Sequence, residues 1–227
     1  MTGIAVVGAA ETTELGKIPH LSQHQLHADA ALNAMADAGI TAKDIDGIAT
    51  AGDRPTDLAY YLGITPTWVD GTSVGGCSFM LHVRHAVAAI ASGQCTTVLI
   101  THGESGRSGV GRGGFPRAPA SLAGQFEVPY GPMGPPTMFT LPVLRYMKDY
   151  GMTHEQLAMV AVVQREWASM NPRASFQDEI SVDEFAKKLL HCGCSSASCN
   201  LSQNSRNQWS AHLCIVFGIL SQTTQSY

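Results

Sequence analysis

Cys77 follows two glycines, Gly75 and Gly76, and precedes a run from Ser78 to Ser92 that contains neither glycine nor proline. A thiol so placed can serve as a nucleophile. If Ser78 opens a helix, Cys77 stands at its positive end, where unpaired backbone N–H groups and the macrodipole favour negative charge. Such a place lowers a thiol pKa, and the thiolate is the attacking form. The glycines leave room for a bulky thioester to approach and let the backbone turn tightly. An inert thiol inside a core satisfies the same residues, because free cysteine is among the most buried residue types. Composition and spacing alone leave both readings open.

Other residues have chemistry of their own. His82 and His85 sit three apart and would share a helix face, as a metal pair does, although packing or capping is the favoured reading of that spacing. His102 follows an apolar run at a place where a site would open. Arg107 and Arg112 lie among glycines and would suit phosphate groups, or simply a solvated loop. Nothing in the sequence fixes the direction of Glu127 or Tyr130. Of the six cysteines only Cys77 and Cys95 precede position 190; Cys192, Cys194, Cys199 and Cys214 crowd the end, with His191 and His212 among them. Thiolate and imidazole are zinc ligands, but this spacing fits no finger or ribbon, so no metal is expected.

The elements that must position these groups read as follows. Ile4 to Gly8 is a short β-branched run ending in glycine, which suits a buried strand. Ser22 to Gln25 forms a capping box, and Ala28, Ala31, Leu32 and Met35 repeat at helical spacing until Gly39. Ile45 to Thr50 reads as a second strand and Asp57 to Leu62 as a short helix. Ser78 to Ser92 is apolar almost all round, which predicts a helix buried on most sides, closed by Gly93. Thr97 to Thr101 supplies a third strand. Strand alternating with helix predicts an α/β layer with parallel pairing.

From Ser105 to Pro142 glycine and proline dominate, predicting loops that leave the sheet and carry binding. Val143 to Tyr150 looks helical. Thr153 to Gln156 is a second capping box opening a helix to about Met170, which Asn171-Pro172 ends. Ser181 to Glu184 is a third box. Beyond Leu189 the chain has no acidic residue, and no periodicity apart from the run Cys214 to Leu220.

The 227 residues are enough to bury a sizeable core, and 44% hydrophobic with 14% charged residues is a globular composition. A net charge of -4 argues against nucleic acid or anionic lipid as partner, since both require a basic face. No segment approaches the ~20 apolar residues of a membrane span. With no basic leader in MTGIAVVGAAETTELG, the cytoplasm is the expected compartment.

The order IAVVGAAET, ADAGI, DIDGIATAG, GTSVGGCSF, AAIASGQC and VLITHGES resembles the N-terminal half of the thiolase superfamily. More closely, it is similar to bacterial thiolase-like proteins related to the thiolase domain of sterol carrier protein. FEVPYGPMGPPTMFTLP and the helices after it continue the resemblance through the loop domain, to about Phe185. The resemblance implies an α/β fold: a mixed, mainly parallel sheet with a buried central helix and a loop and helix excursion over residues 105–170. Residues 1–188 would form that N-terminal domain. Residues 189–227 would be an irregular or disordered tail, of the kind a frameshift or altered splice leaves.

By the same resemblance Cys77 accepts an acyl group from coenzyme A, and Gly76, Met133 and Gly134 lie along the thioester. No cofactor is implied beyond that substrate. The family also uses a Gly-His-Pro histidine, a Cys-x-Gly cysteine and an oxyanion motif, all in its C-terminal half. None is recognised here, and Cys192-Gly193-Cys194 lacks the surrounding strand and comes about a domain too early. The expected function is a thiolase-type acyl-coenzyme A acyltransferase, incomplete as given. The alternative is a non-catalytic acyl-coenzyme A-binding subunit, or a partner of an aldolase in lipid or steroid degradation. One half alone would expose apolar surface around Ser78 to Ser92, so a homodimer or a partner subunit is expected.

Overall fold

The computed structural model describes residues 3–106, 108–111, 118–130, 140–174, 176–185 and 218–223. The chain divides into two compact units, Met1–Arg112 with His212–Tyr227, and Gly113–Ala211.

The first unit is a three-layer α/β arrangement. Its strands are β1 (Gly3–Gly8), β2 (Gly47–Thr50), β3 (Trp68–Asp70), β4 (Thr97–Thr101) and β5 (Gly218–Thr223). They lie in the order β1-β5-β4-β2-β3. β2 pairs in parallel with both β3 and β4, and β5 runs antiparallel to both β1 and β4. The sheet is therefore mixed, with β5 alone reversed, which agrees with the mainly parallel sheet expected.

Helix α1 (Gln23–Ala38) begins at the capping box: Gln25 N–H donates to Ser22 Oγ at 3.3 Å and Ser22 N–H to Gln25 Oε1 at 2.8 Å. It ends at Gly39, whose φ of 69° only glycine adopts without strain. With α2 (Pro55–Leu62) it covers one face of the sheet. Leu26, Ala30, Ala34, Leu58, Ile48 and Leu99 form the core there. Helix α3 (Ser78–Ala91) covers the other face, setting Ala86, Ala89 and Ile90 against Ala49, Val98 and Ile100. Alternation along β2 and β4 thus feeds two cores, so both strands are buried throughout.

Two expectations are refined. Helix α3 buries the side facing the sheet, while Met80 is 74% exposed and Val83 and Val87 more than a third. The helix expected to be buried on most sides thus leaves an apolar outer side open on the described part of the chain. Second, residues 218–223 of the segment expected to be irregular form β5. β1 and β4 point the same way, and one reversed strand between them satisfies the inward hydrogen-bonding edges of both. The strand includes the last residues of the run Cys214 to Leu220.

In the second unit α4 (Leu122–Phe126) starts at Ser121, whose Oγ accepts from Gly124 N–H at 3.0 Å. α5 (Thr140–Tyr150) and α6 (His154–Ser169) follow, the latter opened by the Thr153 and Gln156 box. Ser181 Oγ accepts from Glu184 N–H at 3.2 Å, and a further helical turn starts at residue 182.

Candidate functional site

Cys77 is the N-cap of α3, and its thiol is exposed. Sγ lies 3.8 Å from the carbonyl oxygen of Val74, its hydrogen-bond partner among the described residues. The turn that delivers it closes through Ser78 N–H to Gly75 O at 3.0 Å, and the helix begins with Met80 N–H to Cys77 O at 3.1 Å. Gly75 has φ +85°, and a Cβ built on Gly75 or Gly76 would meet nothing within 4 Å. No acidic side chain stands in the first turn of α3 to oppose a charge on it. Cys95 is the contrast: only 3% exposed, its thiol is pushed up to about 11 by burial and then by the charge of Asp46.

A second group of polar residues gathers at the carboxyl ends of β2 and β4, where open α/β sheets place their sites. His27 of α1 is fully buried, with Nδ1 2.8 Å from Thr101 Oγ1 and Nε2 without a partner. Burial, reinforced by the charges of His102 and His24, pushes the His27 ring down to about 3, so it stays neutral. His102 donates from Nδ1 to Ala51 O at 3.0 Å and sets Nε2 3.3 Å from Glu104. Its ring lies 4.8 Å from that of Phe79, two residues beyond Cys77. His24 Nδ1 is 3.3 Å from Asp53 Oδ2, and the ligand-type atoms of His24, Asp53 and Asp57 lie within 4.8 Å of one another. The sequence reading weighed only His102 of this group; His24 and His27 had a faint signal in their shared helix face.

The remaining candidates separate. His82 and His85 do not form a metal group among the described residues: His82 Nε2 donates to Thr72 O at 2.8 Å, and His85 Nδ1 meets Asp70 Oδ2 at 2.7 Å. Glu127 ends α4 and Tyr130 is 85% exposed. Met133, Gly134, Arg107, Arg112 and the histidines and cysteines from His191 to Cys214 lie outside the described residues. Among the described residues no helix is long and apolar enough to cross a membrane.

No family model matches the chain. It is 32% identical over 186 residues to the steroid side-chain-cleaving aldolase of Thermomonospora curvata, covering 78% of this chain and 48% of that protein. It is 29% identical over 200 residues to the acetyl-CoA acetyltransferase of Methanothermobacter thermautotrophicus, covering 84% and 51%. The solved structure of the Ltp2-ChsH2(DUF35) aldolase superposes with a TM-score of 0.74 at 26% identity, covering 97% of this chain and 56% of that one. The chain thus spans about half the length of the curated relatives it matches.

Proposed function

Because the chain is thiolase-like in sequence and fold over part of its relatives' length, we propose that it carries the acyl-accepting part of an acyl-coenzyme A acyltransferase, with Cys77 as nucleophile. The observation that supports this is the exposed sulfur at the start of a 14-residue helix, beside glycines that leave open space. In the step, Cys77 Sγ bonds to the thioester carbonyl carbon and the bond from that carbon to the coenzyme A sulfur breaks. The thiol proton ends on the departing coenzyme A sulfur. The product is an acyl-enzyme on Cys77, formed with no cofactor beyond the substrate. Gly76 would border the incoming thioester, and Met133-Gly134 would line the acyl path. A dimer in the cytoplasm is the assembly and compartment that go with this reading.

Incubation of the 227-residue chain with acetyl-coenzyme A, followed by peptide mass spectrometry, is expected to place one acetyl group on Cys77. The adduct is expected to vanish in Cys77→Ala. An unmodified Cys77 after saturating exposure overturns the proposal.

A second reading is favoured by the similarity to two aldolases. The chain would then be the thiolase-like subunit of an aldolase acting on acyl-coenzyme A in steroid degradation, completed by a partner subunit. That reading expects coenzyme A thioester binding without any adduct on Cys77.

A further inference from the structure

We infer that Ser78, His82 and His85 are positioning residues for Cys77: at i, i+4 and i+7 of α3 they form three rungs that hold the glycine-rich segment leading into the cysteine. This rests on Cys77 being the acyl acceptor. The spacing puts the three side chains along one stripe of the helix, and the chain arriving from β3 runs back past that stripe toward the helix start. At the first rung His85 Nδ1 meets Asp70 Oδ2 at 2.7 Å, and Asp70 Oδ1 also accepts from Thr72 N–H at 2.9 Å and Thr72 Oγ1 at 2.7 Å. At the second His82, fully buried, donates from Nε2 to Thr72 O at 2.8 Å. At the third Ser78 Oγ, also fully buried, accepts from Val74 N–H at 3.0 Å and donates to Gly75 O at 2.6 Å.

The segment needs such rungs because it has little else. Gly71 and Ser73 to Cys77 are all exposed, and three of these residues are glycines. Residues so exposed bury little apolar surface to hold them in place, and the freedom of such a stretch is costly to remove. His82 even leaves Nδ1 buried without a partner to make its rung, a loss a purely packing side chain would not incur. The ladder therefore holds the sulfur in one place against the first turn of α3, where a bound thioester must meet it.

The test compares the full chain with Ser78→Ala and His85→Ala, and uses Ser78→Thr and His85→Gln as conservative variants that keep a rung. Amide hydrogen exchange reads the segment itself. Acetylation of Cys77 over a range of acetyl-coenzyme A concentrations reads the consequence. The alanine variants are expected to speed exchange only in residues 71–77. They are expected to slow acetylation at saturation by up to about a hundredfold, the scale on which a 1 Å misplacement of reacting groups acts, with the half-saturating concentration unchanged. The conservative variants are expected to restore most of the rate, while Cys95 stays inert to iodoacetamide throughout and reports an intact fold. Unchanged exchange in both alanine variants overturns the ladder, and normal acetylation despite faster exchange overturns its positioning role. If the unsubstituted chain takes no acetyl group, the acyltransferase reading fails, and exchange alone decides whether the rungs exist.

Discussion

Two thiols in the same unit meet opposite environments. Cys77 is exposed at a helix start, while Cys95 packs beneath α3 with Val98 and Ala86. Iodoacetamide on the native chain is therefore expected to label Cys77 and spare Cys95 until denaturant is added, which peptide mapping checks directly. His27 gives a pH signature. Its buried ring titrates at about 3 when folded and near 6.5 when unfolded, so between those values the unfolded chain binds a proton that the folded chain refuses. Stability from this group is complete above pH 6.5 and falls as acid is added through the window, by up to about 1.4 kcal/mol per pH unit. Urea melts from pH 7 to pH 4 are expected to show this slope, and His27→Gln is expected to flatten it. The burial of His27 could not be read from sequence, because its alternating neighbours fit an exposed face as well as a covered one. The place of Cys77 at a helix start was legible, because glycines and the run after them are local features, whereas its exposure was left open by the sequence and came from the structure.

At the scale of elements, the helices were the most legible part. Three capping boxes, at Ser22, Thr153 and Ser181, appear where the spacing of hydroxyl and Gln or Glu placed them. Each acts through a few neighbouring residues, so no distant contact is needed to recognise it. Ser22→Ala is expected to cost about 1 kcal/mol in chemical denaturation, as loss of an N-cap does. Strand β4 depends instead on what covers it. Leu99 is fully buried among residues of α1 and α2, and Leu99→Ala is expected to destabilise by about 2–5 kcal/mol in the same measurement. Strand β3 escaped the sequence reading, since the three residues Trp68–Asp70 are too short for an alternating pattern to register.

For the whole molecule, β5 carries the largest consequence. Its register joins Leu220 to Val6 on one side and to Val98 on the other, tying residues near both ends of the chain into one sheet. Proline at a position paired on both sides removes a ladder hydrogen bond and clashes with the pairing. Leu220→Pro is expected to destabilise the chain on that basis, seen as a lowered urea midpoint. The same substitution at Tyr61, an exposed residue late in α2, tests local helix disruption instead and is the useful comparison. The open outer side of α3, with Met80, Val83 and Val87, remains apolar surface on the described part of the chain.

By itself the sequence determined the alternation of strand and helix, the caps that start α1 and α6, and the placing of a thiol at the head of α3. All are set by contacts within a few residues, which order along the chain preserves. Tertiary structure decided the insertion of β5 between β1 and β4, the neutral burial of His27 and the rungs from α3 to residues 70–75. Each joins segments separated along the chain or depends on which face of an element is covered, and those are properties of packing rather than of local spacing.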